Sequence, residues 1–92
     1  MKANIGITAK NVSALTEMLT GVLSDAMILY TKTRKFHWNV SGNSFMELHK
    51  LFEDHYTKLE TAIDEIAERI NKLGSKTPGT MKEFLDKGTL KE

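Results

Sequence analysis

The sequence contains no cysteine, so disulfide bonds and thiolate metal sites are excluded. Its only proline, Pro78, lies late in the chain, so no proline interrupts a helix before it. An excess of one charge is also missing, since 13 lysines and arginines and 12 aspartates and glutamates give a net charge of +1. This near-equal number of positive and negative charges indicates neither a polyanion-binding surface nor an acid-rich, solvated chain.

Segments that direct a chain to or across a membrane are not evident. No uninterrupted apolar run approaches the roughly 18 residues of a membrane span. Residues 1–10 lack the apolar core of a secretion signal. With 92 residues, 40% hydrophobic and 27% charged, we expect one globular, cytoplasmic domain. A core of this size is small, and partners often complete it.

Apolar residues recur every three or four positions in two long segments, which predicts two amphipathic α-helices. The first is predicted over 11–40, with Asn11 or Ser13 as its N-cap. Gly42 follows its end and is a plausible stop. The fold class is therefore all-α.

The second helix is predicted over 44–73. Ser44 and Glu47 have the spacing of a capping box, and Gly74 is a plausible C-terminal stop. The short connection between the two helices predicts an antiparallel hairpin. A turn and a short helix are predicted over 75–92.

The second helix carries a strip of histidine and acidic side chains. His49 and Glu53 are four residues apart, as are Asp64 and Glu68, and 11 residues separate the two pairs. At about 100° per residue the four side chains fall within an arc of roughly 100°, and Glu60 shares the strip. A line of carboxylates repels itself, and a bound cation would remove that repulsion. Imidazole nitrogen with carboxylate oxygen suits iron(II), manganese or zinc.

Distance along the helix decides how such a site can form. Glu53 and Asp64 lie about 16 Å apart along the axis, whereas metal–ligand bonds are about 2 Å long. One helix cannot bring both pairs to one ion, but an antiparallel second copy can. A two-fold axis between Lys58 and Leu59 would create two equivalent sites. His37, near the end of the first helix, would face His49 across the hairpin and add a ligand.

Each of these residues also has a plain structural interpretation. A histidine on an apolar face, such as His37, is more often a hydrogen-bonded core residue. Asp64 and Glu68 can be solvated acids, since Glu65 with Arg69 and Glu68 with Lys72 are ordinary i,i+4 pairs. Trp38, beside His37, can be a packing residue or can trap stray oxidising equivalents. Spacing alone leaves these alternatives open.

A joint pattern over residues 35–70 resembles the Dps family of miniferritins. The chain has His-Trp-Asn at 37–39, a histidine twelve residues after the first, an acid four residues later, and Asp-x-x-x-Glu eleven residues beyond. The resemblance continues through the tail, Lys-Thr-Pro-Gly-Thr-Met-Lys-Glu-Phe-Leu. Dps proteins often have aspartate where this chain has Glu53, which is one methylene longer and still a carboxylate.

The resemblance implies the first two helices, and the start of the short connecting helix, of a ferritin-like four-helix bundle. Two more long helices follow in similar proteins, so it implies about half of a single ferritin-like domain over 1–92. It implies an iron site at a two-fold interface. One subunit would supply His37, His49 and Glu53, and its partner Asp64 and Glu68.

The resemblance further implies an iron-storing ferroxidase that oxidises Fe(II) with hydrogen peroxide, or with oxygen, and protects the cell and its DNA from oxidative stress. Self-association into two-fold dimers, and into dodecamers at full length, is implied as well. Some similar proteins bind DNA through lysine-rich N-termini, but Lys2 and Lys10 are the only basic residues among the first ten here. The alternatives are a DNA-binding nucleoid protein and a non-catalytic helical assembly module.

Overall fold

A computed structural model describes residues 6–92, and the helices in that part of the chain are α1 over Ala9–Asn39, α2 over Phe45–Lys72 and α3 over Met81–Lys87. The all-α prediction is confirmed for this part of the chain. α1 and α2 form an antiparallel hairpin, α3 packs back onto α1, and the molecule is 54 Å long. Lys2, one of the two residues considered for DNA binding, lies outside the described residues.

The first helix begins two residues before its predicted start. The Thr8 hydroxyl accepts a hydrogen bond of 3.3 Å from the backbone N–H of Asn11, and the backbone of Thr8 is extended, as an N-cap requires. The prediction that Asn11 or Ser13 caps the helix is therefore wrong. Both residues lie inside the first turn and a half, where the backbone is already helical.

The capping box predicted at the start of α2 is also wrong. Ser44 has φ −100° and ψ 24°, far from the extended backbone of a capping residue, and its side chain makes no cap hydrogen bond. The structure has a capping box at α3 instead, where Thr80 and Glu83 bond each other's backbone N–H groups.

The end of α2 agrees with the sequence prediction. Gly74 has φ 87°, a left-handed conformation that costs glycine little. Its N–H donates to the carbonyl of Asn71, and the N–H of Ser75 donates to the carbonyl of Ile70. This Schellman motif satisfies the last carbonyls of the helix and turns the chain toward α3.

The core is small and is divided between the contact of α1 with α2 and the contact of α1 with α3. The hydroxyls of the buried Ser24 and Thr33 donate to backbone carbonyls four residues earlier, so neither is left unsatisfied. The apolar side chains that are buried are Leu23, Ile28, Ile70, Leu73 and Phe84.

α1 passes a length-and-composition test for a membrane span, which a count of uninterrupted apolar runs did not anticipate. The core helix of a soluble protein passes the same test. Buried polar residues lie along α1, namely Ser24, Thr33 and His37. The test alone therefore carries little weight.

The chain after α3 is held against α1 by the Asp25 carboxylate and by Lys32, whose Nζ donates to the carbonyl of Lys91 over 2.9 Å. Asp25 accepts hydrogen bonds from the backbone N–H of Leu90, the hydroxyl of Thr89 and the backbone N–H of Thr89, over 2.9, 2.8 and 2.6 Å. Because these bonds favour the charged form, the pKa of Asp25 lies below its ordinary value.

Gly88 permits this close approach, and we predict that Gly88→Ala destabilises the fold. An added Cβ would lie 2.7 Å from Oδ1 of Asp25, 2.9 Å from Cδ1 of Ile28 and 3.0 Å from the carbonyl oxygen of Phe84. Overpacking of this kind costs about 1–3 kcal/mol. Urea denaturation would measure it against Gly79→Ala, whose Cβ meets nothing within 4 Å. Equal stability of the two variants would contradict the prediction.

We also predict a pH dependence of the contact with Asp25. Because folding lowers the pKa of Asp25, this contact stabilises the tail above the unfolded value of about 3.9 and is lost as pH falls through the lower, folded pKa. Amide-exchange protection factors at Thr89 and Leu90 should therefore drop in acid. In Asp25→Asn they should be low already at neutral pH, whereas Asp86→Asn should behave as the unsubstituted chain does.

Candidate metal centre

His37 and His49 lie face to face across the hairpin. Their ring centroids are 3.7 Å apart and the rings are tilted by 21°. His37 is 7% exposed, near the end of α1, and His49 is half-buried, one turn into α2. The sequence prediction that these residues face each other therefore agrees with the structure.

Each histidine bonds the backbone of the other. Nδ1 of His37 lies 2.7 Å from the carbonyl oxygen of His49, and Nδ1 of His49 lies 2.8 Å from the carbonyl oxygen of His37. A carbonyl oxygen can only accept, so each Nδ1 carries its proton. In the neutral rings the lone pair is then on Nε2, as in metal-ligating histidines whose other nitrogen bonds a carbonyl.

Aromatic side chains enclose the histidine pair. The ring of Tyr56 meets His37 edge-on with centroids 5.2 Å apart, and the ring of Phe45 is 4.9 Å from that of His49. On the far side of Tyr56 the guanidinium of Arg34 stacks 3.7 Å above the ring centroid. These contacts restrict the orientation of the imidazoles without occupying their Nε2 atoms.

Arg34 is held by its neighbours and not by the predicted ligands. Its Nε donates to the Tyr30 hydroxyl over 3.1 Å, which raises the pKa of Arg34, and a second nitrogen lies 3.3 Å from a carboxylate oxygen of Glu60. The Tyr30 hydroxyl donates to that same oxygen over 2.7 Å. Glu60 therefore shares the acidic strip of α2 but is already bonded within the chain.

This cluster was not predicted from the sequence. Arg34 lies four residues after Tyr30, so the two side chains share one face of α1. A charged arginine on the inner side of an otherwise apolar helix is the signal that would have located it.

The other predicted ligands are exposed carboxylates of α2, namely Glu53, Asp64 and Glu68. None of them forms an ion pair in residues 6–92, where the ion pairs are Arg34–Glu60 and Lys58–Asp54. Lys72, the i,i+4 partner considered for Glu68, thus forms no ion pair with it in these residues. These carboxylates remain available to a cation or to a second molecule.

A single copy does not assemble a complete site. Across the described part of the chain, no group of three or more histidine, aspartate and glutamate side chains converges well enough to hold a metal ion. The hairpin brings His37 and His49 together but leaves Asp64 and Glu68 several turns away. Whether a second copy completes the site stays a prediction.

Comparison with known proteins gives a consistent result. Residues 16–92 match the model of the ferritin-like domain family. The chain is 46% identical over 76 residues to DNA protection during starvation protein 2 of Bacillus anthracis, covering 83% of this chain and 52% of that protein. It is 44% identical over 91 residues to a low temperature-induced protein of Nostoc, covering 99% of this chain and 51% of that protein.

A solved structure matches the whole chain. The crystal structure of a Dps protein from Vibrio cholerae, described as a member of a broad superfamily of ferritin-like diiron-carboxylate proteins, superposes with a TM-score of 0.94 at 35% identity. The match covers 100% of this chain and 58% of that one. The chain spans about half the length of the curated relatives it matches.

Proposed function

This chain belongs to the ferritin-like family, as a relative of the Dps proteins, and from that premise we propose that it binds ferrous iron and oxidises it at a site shared between two copies. Hydrogen peroxide is the proposed oxidant, with oxygen as the slower one. Storage of the ferric product, assembly into a cage and protection of cellular DNA in the cytoplasm belong to the same proposal.

The observation that carries the proposal is the reciprocal bonding of His37 and His49. A histidine with only a packing role would also bond its ring N–H within the chain, but here both rings bond through Nδ1 and neither Nε2 has a hydrogen bond within residues 6–92. That arrangement selects the tautomer whose Nε2 can bind a metal, and the helices around it fix both rings before iron arrives. Such preorganisation supports a metal site more strongly than spacing alone does.

In the proposed site each residue has a definite role. His37, His49 and Glu53 of one copy bind ferrous iron, and Asp64 and Glu68 of the antiparallel copy supply the remaining oxygen ligands. Two ferrous ions each lose one electron, and hydrogen peroxide with two protons becomes two water molecules. Because both electrons are delivered, hydroxyl radical is not released.

A histidine substitution tests this proposal. We expect His49→Ala to weaken ferrous iron binding at least about tenfold in anaerobic titrations, because the loss of a ligand exceeds the usual 10–100-fold cost of losing an outer-shell partner. The matched control is His55→Ala, an exposed histidine on α2 that lies outside the strip. Equal iron affinity of the two variants would sink the proposal.

A further inference from the structure

An exposed apolar stripe runs along α1 and is not used by the metal site. Its members are Met18, Val22, Leu29 and Phe36, whose side chains are 65, 48, 45 and 53% exposed. Steps of four, seven and seven residues keep them within an arc of about 40°. That spacing is the one by which a helix packs lengthwise against another helix.

The stripe and the acidic strip lie on opposite sides of the hairpin. Glu60 belongs to the acidic strip and pairs with Arg34, so Arg34 marks the acidic side of α1. The stripe lies about 120–160° around α1 from Arg34. It adjoins α2 on the other side, where Phe36 is 6.0 Å from Phe52, ring centroid to ring centroid.

α2 contributes to the same side. Its apolar residues opposite the acids fall within an arc of about 80° and are exposed or half-buried, namely Leu48, Leu51, Leu59, Ala62 and Ile66. Together with the α1 stripe they form one surface, which we call the apolar face. The C-terminal segment reaches only its edge, where it bonds Asp25 and Lys32.

The extent of the apolar face suits a stable protein interface. The stripe runs from Met18 to Phe36, about 27 Å along α1, and the molecule is 22 Å wide. The face therefore has an outline on the order of 600 Å², at the lower end of the roughly 600–1,000 Å² per partner in a stable interface. An apolar surface of that size on an isolated protein marks an interaction site. Relatives are about twice as long as this chain, so they contain a further segment of comparable length.

We propose that the apolar face binds the apolar face of a second copy of this chain, so that two hairpins form a bundle of four long helices. A second copy presents the same length of helix and the same apolar area, and burying the two against each other removes both from water. This interface is distinct from the one at the acidic strip, so each copy has two different contacts with neighbouring copies.

Sedimentation velocity over a range of chain concentrations tests this proposal. The 92-residue chain should associate, and Val22→Glu with Leu29→Glu should raise the dissociation constant at least about 100-fold, because each carboxylate would be buried in the interface. Met81→Glu is the matched control, since Met81 is 60% exposed but lies on α3. It should associate normally.

Several outcomes would overturn the proposal: a wild-type chain that stays monomeric, unchanged association of the Val22/Leu29 variant, dissociation caused by Met81→Glu, or a monomer that binds phosphatidylcholine vesicles through this face. The thermal midpoint of the wild type should also rise with chain concentration, which does not depend on any variant folding. Asp64→Ala with Glu68→Ala should leave this contact intact, so failure of the metal proposal is distinguishable.

Discussion

Replacing both Asp64 and Glu68 with alanine is expected to lower peroxide-driven oxidation of ferrous iron more than about tenfold. Removing outer-shell partners alone costs a metal site about 10–100-fold, and here two proposed ligands are lost from the same ion. Stopped-flow absorbance of the ferric product measures the rate. The effect should reach its full size in a chain whose own His37 and His49 are untouched.

A loss of folding would produce the same kinetic result, so stability is measured alongside. Without iron the double variant should be as stable as the wild type or slightly more so, because like charges four residues apart on a helix repel by about 0.2–0.5 kcal/mol. With ferrous iron the wild type should gain stability and the variant should not. A variant that is unstable without metal would contradict the predicted self-repulsion.

The matched control removes two acids that lie outside the strip. Asp54 and Glu65 are exposed on the same helix and are of the same residue types. Alanine at both positions takes away the same charge and leaves the proposed ligands in place. Oxidation that falls equally in the two double variants would mean that net negative charge, and not ligation, matters.

Much of the fold follows from the sequence because it depends on periodicity. Strides of three and four residues predicted both long helices, and Gly74 ended α2 as expected because a Schellman motif needs a left-handed residue there. The approach of His37 to His49 followed from their similar distances to the turn. Features of this kind need only helix geometry.

Capping residues and tertiary polar contacts could not be predicted in the same way. Thr8, Asn11 and Ser13 are all acceptable N-caps by type, and the choice depends on which backbone is extended. The bonding of Asp25 to Thr89 and Leu90 joins residues 64 and 65 positions apart, and no local pattern indicates it. Glu60 lay on the acidic strip, but only its contact with Arg34 distinguishes it from the candidate ligands.

The exposure of Asp64 and Glu68 is interpreted differently for a single copy and for a pair of copies. In one chain they are solvated acids without a cation. In the proposed antiparallel pair they would be ligands for the partner's iron, since a two-fold axis between Lys58 and Leu59 would bring position 68 opposite 49 and position 64 opposite 53. A mixture of two inactive chains separates these two meanings.

We predict that mixing two inactive variants restores activity. One chain carries His37→Ala and His49→Ala, and the other carries Asp64→Ala and Glu68→Ala. In a mixed dimer one site has both defects, whereas the other combines intact histidines with intact acids. After co-refolding equal amounts, about half of the dimers are mixed and half of their sites are whole, so about a quarter of wild-type oxidation should return.

The same mixture distinguishes the shared site from its alternative. If each chain built its site from its own residues, every site in the mixture would be defective and activity would stay at the level of the separate variants.

Putting all four substitutions on one chain and mixing it with wild type is the matched control. Its mixed dimers have two half-defective sites, so oxidation should again be about a quarter, now from the wild-type dimers alone. Dilution of wild type by an unrelated protein would instead leave half. Restoration in the first mixture and loss beyond simple dilution in the second can both occur only if the acids of one copy serve the histidines of another.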